Sequence, residues 1–562
     1  MKTDYGKLGR ESMERLKNTA AKAQTVQKKV LVDLMRQNRN TDYGRKYGFH
    51  TIWTPGEFQE KVPLSRYEDY ESYIQDMIRG KKHVLNADPA VYFCVSSGTT
   101  GRPRYIPLTE SDLDLQYRYA YGTVFGCVGE YYRDMQEEQV FGKIFQIGEF
   151  TKTYMENGTM NGIRSSCLFQ WMDRDGQFDA SDCCAPKEVL FPKEPEDLLY
   201  VKVRFALAQP DIRAIHGIFV NRVRGVLDYI RRKWLLLLED MERGRVHESI
   251  RLSDHWRRFL MERLPPDPGR AVQLRESVGG KPGEGMVRQI WPGMRYCLAV
   301  GGRPFSHDMD KMREYMGDVP FHFSAYAASE GIFGVAKSLN EPDAYVLFPE
   351  AGFFEFLPVT DQEEESKNPL FLWEVKKGEK YELVFTNHSG LYRYRMGDVI
   401  QVVDWYENAP VARFCYRKTQ VVSVAGEKTN QEQLQKAMDR FSAGTGMTMA
   451  GYCVQEVRDG PRYLFYVEPE GTDGDRGRAE RTLDLCLCQV NSRYQVRRAA
   501  NEIKAPRIAY LQKGCFRRYE EYLAARGIPR GQSKRVCVLD TADKKLFFAS
   551  EQVKRQEKVF GH

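Results

Sequence analysis

Val91-Tyr92-Phe93-Cys94-Val95-Ser96-Ser97-Gly98-Thr99-Thr100-Gly101-Arg102-Pro103-Arg104 is an apolar run that opens directly into a turn of hydroxyl residues and glycines. The run is short and rich in β-formers, so it reads as a buried strand. The small side chains after it let backbone N–H groups and hydroxyls close around phosphate oxygens, and Arg104 adds a positive charge. A generic Ser/Gly turn is more often a surface loop. Here the strand before it and a long helical pattern after it, from about Ser111 with Leu113, Tyr117, Ala120 and Val124 on one face, favour a phosphate loop. No G-x-x-x-x-G-K-[ST] string occurs in the chain, so the loop is not of the Walker type.

Outward from this loop the pattern alternates. Leu16, Ala20, Ala23, Val30 and Leu34 recur at helical spacing, and 67–79 reads as a further helix. Strand-like runs at 143–147, 294–300 and 319–324 are mixed with helical runs at 222–241 and 307–316. From there to about residue 405 strands dominate, at 344–348, 353–357, 381–386, 391–394 and 398–405. Strands mixed with crossover helices predict an α/β architecture with an antiparallel portion. A last unit begins near Arg417: a strand at 421–424, a helix at 430–441, a strand pair at 452–457 and 463–468, one helix over 478–496, a strand at 507–512 and a helix at 516–526. That is an α+β domain of ordinary size.

The 562 residues are too many for one small core and predict three or four units at ~100–200 residues each. Hydrophobic residues at 42% and charged residues at 29% exclude wholesale disorder. The net charge of +7 suits anionic small ligands such as nucleotides and is too dispersed to predict a nucleic-acid partner. Residues 1–16 are charged throughout and lack the apolar core of a signal peptide. No stretch approaches the ~20 apolar residues of a membrane span. The twelve cysteines, including Cys183-Cys184 and Cys486-x-Cys488, have no zinc-ligand spacing, which predicts reduced thiols in a cytoplasmic protein. The nine histidines form no visible triad or metal cluster.

Four further segments carry candidate chemistry, each with an ordinary structural reading beside it. Tyr326-Ala327-Ala328-Ser329-Glu330 places a carboxylate at a strand end, where it can hold a hard cation bridging phosphate oxygens. Taken alone it reads better as a helix N-cap. Arg395-Met396-Gly397-Asp398 is a Gly-Asp turn or a carboxylate that accepts from two hydroxyls. Phe414 to Thr419 is a basic linker, and Lys534 is a lysine in a basic turn.

In order along the chain, these elements resemble the adenylate-forming superfamily, which includes acyl-CoA ligases, luciferases and peptide-synthetase adenylation domains. Arg104 stands where that superfamily usually has lysine, which keeps the charge and changes its geometry. Three stretches resemble one branch, the Gretchen Hagen three family of auxin-responsive acyl-acid-amido synthetases and its bacterial-type members. They are the doubled Ser96-Ser97, then Phe353-Phe354-Glu355-Phe356-Leu357-Pro358, then Gly390-Leu391-Tyr392-Arg393-Tyr394-Arg395-Met396-Gly397-Asp398. Lys428-Thr429 with Asn430, Gln431 and Glu432 resembles it too, while Ser533 and Arg535-Val536 depart from its pattern.

The resemblance implies a large N-terminal adenylation domain, 1–416, with α/β and β-barrel parts, and a small mobile α+β C-terminal domain, 417–562. It implies ATP and Mg²⁺, a carboxylic acid and an amine, usually an amino acid, with no nucleic-acid or membrane partner. By the same resemblance Ser96, Ser97, Gly98, Thr99, Thr100 and Arg104 hold the triphosphate. Tyr326 and Ala328 meet the adenine, Ser329 beside them is a further cofactor contact, Glu330 holds Mg²⁺, and Asp398 takes the ribose hydroxyls. Arg417 and Lys428 are further nucleotide contacts near the hinge, and Lys534 reaches the α-phosphate. The acyl acid is expected beside the helix after the phosphate loop, at Tyr117 and Tyr121, with Tyr119 and Phe125 as neighbours whose simpler role is core packing. An acyl-CoA or acyl-carrier ligase and a non-catalytic nucleotide-binding protein are the competing readings.

Overall fold

Eight short strands come first along the chain: Tyr92–Ser97 (β1), Pro103–Leu108 (β2), Lys143–Gln146 (β3), Thr153–Tyr154 (β4), Met160–Gly162 (β5), Ile212–Phe219 (β6), Tyr296–Val300 (β7) and Phe321–His322 (β8). The structure, a computed structural model, describes residues 3–97, 103–194, 197–301, 306–359, 368–418, 421–470, 476–526 and 536–553. The strands sort into a sheet of order β2-β1-β5-β4 and a sheet of order β3-β6-β7-β8. The second is parallel throughout. Its strands are covered on both faces, which is why Tyr296 to Val300 is a continuous apolar run. The helix Val220–Arg243 lies beside it and buries Val223, Val226, Leu227, Ile230, Trp234, Leu237 and Leu238 at three- and four-residue spacing. It stops at Gly244, whose φ of 61° suits a glycine C-cap.

One row of the parallel sheet runs Gln146, His216, Leu298, His322. His216 Nε2 lies 3.0 Å from the Tyr296 hydroxyl. Both His322 ring nitrogens are buried with no hydrogen-bond partner among the described residues. Burial pushes both histidines down to about 3, His216 with a further push from His322. In the unfolded chain a histidine titrates near ~6.5, so between the two values the unfolded state binds more protons, and stability is lost as the pH falls through that window. From pH ~7.5 to ~5.5 each histidine is expected to remove ~1 kcal/mol of stability. The urea midpoints of the wild type and of His322→Phe at the two pH values measure this. The variant should be near-neutral at the higher pH and lose less at the lower; an unchanged pH dependence would contradict the assignment.

The antiparallel portion expected from the sequence is an eight-stranded sheet of Ala325–Ala328 (β9), Gly331–Ala336 (β10), Tyr345–Leu347 (β11), Gly352–Pro358 (β12), Leu370–Phe371 (β13), Lys380–Asn387 (β14), Tyr394–Tyr406 (β15) and Ala409–Arg417 (β16). Its order is β13-β12-β14-β15-β16-β11-β10-β9. No strand forms at 391–393, contrary to expectation. The Tyr392 N–H donates to the Tyr70 hydroxyl at 2.8 Å, and Arg393 has a φ of 47°, which breaks the extended chain. The Arg393 guanidinium is buried against Glu355.

Contacts divide the chain into two compact units. The first holds Met1–Val95, Tyr105–Met396 and Gln401–Arg413. The second holds Ser96–Arg104, Gly397–Ile400 and Phe414–His562. In the second, Met449–Val457 (β17), Arg462–Pro469 (β18) and Arg507–Tyr510 (β19) form a sheet in chain order. The helix Gln431–Thr445 covers it through Leu434, Ala437, Met438 and Phe441. The strand expected at 421–424 is only a bridge between Val422 and Thr429. The single helix expected over 478–496 is two, Arg476–Val490 and Ser492–Ala499. Asn491 separates them, because its side chain caps the second by accepting from the N–H groups of Arg493 and Tyr494.

Candidate functional site

Glu330 sits in the tight turn between β9 and β10, where Ala328 pairs with Gly331, rather than at the start of a helix. The segment is therefore a hairpin tip, and the capping role that its sequence also allowed is absent. Asn387 Nδ2 donates to the Glu330 carbonyl at 2.8 Å and fixes the turn. The Tyr394 hydroxyl donates to Glu330 Oε1 at 3.3 Å. The other carboxylate oxygen has no hydrogen-bond partner among the described residues, and the side chain is half-buried. Tyr326 lies on β9, its ring packed on Phe333 at 4.9 Å and Tyr345 at 5.9 Å. Ala328 and Ser329 are half-buried at the same hairpin end.

In the second unit Asp398 is 2% exposed on β15. Arg417, the last residue of the neighbouring strand β16, donates its Nε to Asp398 Oδ1 at 2.5 Å. A charge-assisted bond of this kind fixes the orientation of the carboxylate. The sequence marked both residues without showing that they pair. Within the strand, just before Asp398, Gly397 has a φ of 70°, a conformation that glycine adopts without a Cβ penalty.

Ser96 is half-buried at the end of β1, Ser97 closes that strand, and Arg104 is half-buried on β2. Gly98, Thr99 and Thr100 lie outside the described residues, as does Lys534. Lys428 is exposed with a φ of 48°, its N–H donating to Ser423 Oγ at 3.3 Å. Its loop is organised by Glu427, a residue that the sequence reading passed over. The buried Glu427 carboxylate accepts from the N–H groups of Val424 at 2.9 Å and Ala425 at 2.8 Å and from the Tyr463 hydroxyl.

Tyr117 and Tyr121 lie on a π-helical segment, Gln116–Gly122, inserted between the helices Glu110–Leu115 and Thr123–Tyr131. Such segments recur where a helix must present side chains to a ligand. The two rings stack at 6.0 Å, and both remain half-buried. Burial raises both phenols above their ordinary range, so they stay neutral at physiological pH. Tyr119 faces elsewhere: its ring lies 4.5 Å from Phe348, and its hydroxyl donates to Glu350, which also pairs with Arg15 at 2.7 Å. Phe125 is 1% exposed in the core. The structure thus separates Tyr117 and Tyr121, which keep accessible surface, from Tyr119 and Phe125, which serve packing. No helix among the described residues is long and apolar enough to cross a membrane.

Comparison with known proteins gives three matches in succession: to the GH3 family N-terminal domain over residues 12–321, to its central domain over 345–417 and to its C-terminal domain over 432–542. A jasmonoyl–L-amino acid synthetase of Nicotiana attenuata is 26% identical, covering 92% of this chain and 90% of its own length. An indole-3-acetic acid-amido synthetase of Arabidopsis thaliana is 25% identical, covering 91% and 88%. Among solved structures, GH3.15 acyl acid amido synthetase superposes with a TM-score of 0.82 at 22% identity, covering 96% of this chain and 95% of that one. A 2-hydroxyisobutyryl-CoA ligase in a postadenylation state superposes with a TM-score of 0.51 at 11% identity, covering 93% and 90%.

Proposed function

The chain belongs to the GH3 family, and we propose on that basis that it is an ATP-dependent acyl-acid amido synthetase, which activates a carboxylic acid as its acyl-adenylate and transfers the acyl group to an amine, an amino acid in the first instance. The observation that carries this reading is family membership along the chain, together with the retained Glu330 and the Asp398–Arg417 pair. Of the named relatives, one is a jasmonoyl–L-amino acid synthetase and the other an indole-3-acetic acid-amido synthetase.

In the first step the substrate carboxylate attacks the α-phosphorus of ATP, a P–O bond forms, and pyrophosphate leaves with the electrons of the broken P–O bond. Little proton transfer is needed, so the protein acts by positioning and by neutralising charge. Ser96, Ser97, Thr99, Thr100 and Arg104 bind the triphosphate, with Gly98 leaving room for close backbone approach. Tyr326 and Ala328 border the adenine, with Ser329 beside them as a further cofactor contact. Asp398, already oriented by Arg417, accepts from the ribose hydroxyls. Lys534 donates to the α-phosphate as its charge develops, and Lys428 adds positive charge nearby. Glu330 fits a Mg²⁺ ligand: it is a hard oxygen donor on a hairpin tip, and its side-chain partner among the described residues is the Tyr394 phenol. When bound, Mg²⁺ would neutralise phosphate oxygens.

In the second step the amine nitrogen attacks the acyl carbonyl, a C–N bond forms, AMP leaves, and the nitrogen loses a proton. The division into an adenylation domain, 1–416, and a smaller domain, 417–562, that reorients between the steps is part of the proposal. So is a cytoplasmic location, where ATP is available and thiols stay reduced; all twelve cysteines are free. Acid-dependent exchange of labelled pyrophosphate into ATP tests the first step. Exchange that requires both Mg²⁺ and an acid is expected with no amine present; its absence across a broad acid panel would count against turnover.

A further inference from the structure

The N-terminal helix Tyr5–Ala21 crosses the Thr123–Tyr131 helix at unusually close range, because a Cβ on Gly9 would lie only 2.6 Å from the Gly126 backbone nitrogen. That approach carries Tyr5, the first residue of the helix, into the aromatic group around Tyr121. The Tyr5 ring lies 4.4 Å from Phe125, and Tyr121 meets the same Phe125 edge-on at 4.9 Å and Phe169 at 5.8 Å. These rings and the stacked Tyr117 give a planar group edges and faces to pack against.

We propose that Tyr5 and Tyr121 act as a specificity-determining pair in the acyl pocket, selecting acids that carry a hydrogen-bonding substituent on a planar ring. The inference rests on the amido synthetase reading for what the pocket holds. The Tyr5 and Tyr121 hydroxyls are neighbours, and a bond between them uses only one of their two protons, which leaves the other without an acceptor among the described residues. Burial and the nearby Tyr121, Asp182, Cys183 and Tyr296 raise the Tyr5 phenol, so it remains a neutral donor. Both tyrosines are enclosed by protein and yet keep accessible surface, whereas their neighbour Phe125 has almost none. An enclosed hydroxyl donor with accessible surface and no acceptor is what a substrate hydroxyl, carbonyl or ether would satisfy. A substrate lacking that group would leave the donor unpaired.

The test uses the full chain as wild type, Tyr5→Phe and Tyr121→Phe; phenylalanine keeps the ring packing. The probes are parent and ring-hydroxylated pairs of benzoate, phenylacetate, indole-acetate and naphthoate. Two readouts are taken: the acid-induced rise in Tm without ATP, and acid-dependent pyrophosphate exchange. For at least one pair the wild type should favour the hydroxylated acid by ~10-fold or more in half-saturating concentration. Tyr121→Phe should bring that ratio to about one and Tyr5→Phe should lower it several-fold, with the KM for ATP unchanged in both. Equal responses within every pair in the wild type, no response to any pair, or a ratio unchanged in Tyr121→Phe would overturn the inference. A ratio seen in Tm and lost in Tyr121→Phe, with exchange silent, would support it and count against adenylation. Exchange with unaltered ratios would overturn it and leave adenylation standing.

Discussion

Asp398→Ala is expected to lower kcat/KM for ATP by ~10²–10³, with little change in the KM for the acid. The carboxylate is buried on β15 and bound by Arg417 Nε. Alanine removes the acceptor for the ribose hydroxyls and also leaves a guanidinium beside a hole. Asp398→Asn separates the two effects, since the amide keeps an acceptor oxygen and the volume but loses the charge. It should fall between wild type and alanine, roughly tenfold down. Pyrophosphate exchange as a function of ATP concentration reads both variants. Wild-type values for Asp398→Ala would remove Asp398 from the nucleotide site. Arg417→Met should weaken ATP binding less than Asp398→Ala does, because Arg417 acts through the carboxylate that it orients.

Lys534→Ala should affect one half-reaction only. Adenylation, read as pyrophosphate exchange, is expected to drop ~10³-fold, because the developing negative charge at the α-phosphate loses its donor. Transfer from acyl-adenylate made chemically and supplied to the enzyme with an amine should change by less than ~3-fold. Equal loss in both halves would mean that Lys534 supports the smaller domain as a whole. No loss in either would mean that the departures at Ser533, Arg535 and Val536 have moved the role to another residue.

Much of the candidate site is proposed from the sequence, because its residues sit in short strings whose side-chain types are chemically restrictive. The strand before Ser96, the carboxylate of Glu330 and the Gly397-Asp398 step were each visible as local patterns. Pairings between distant segments were not, since they depend on sheet register and helix crossing. Arg417 meets Asp398 only because β15 and β16 are neighbours. Tyr394 reaches Glu330 across 64 residues. Tyr5 joins Tyr121 only because glycines let two helices approach closely.

Fold errors have similar causes. The period-3.6 pattern over 478–496 continues through Asn491, so only the cap geometry reveals the break. The apolar run at 391–394 looks like a strand, and the Tyr70 hydroxyl bonded to the Tyr392 backbone takes the place of a ladder partner. Glu427 carries no local signal beside Lys428, and only the fold shows that it ties the loop together.

The most direct test of the central claim is to identify the product formed from ATP, Mg²⁺ and an acid that supports pyrophosphate exchange, incubated with amino acids, with CoA, or with neither. The account predicts stoichiometric AMP and an N-acyl amino acid, detected by mass spectrometry, in the amino acid arm, with little AMP in the arm lacking an acceptor. A thioester in the CoA arm with no amide in the amino acid arm would contradict it.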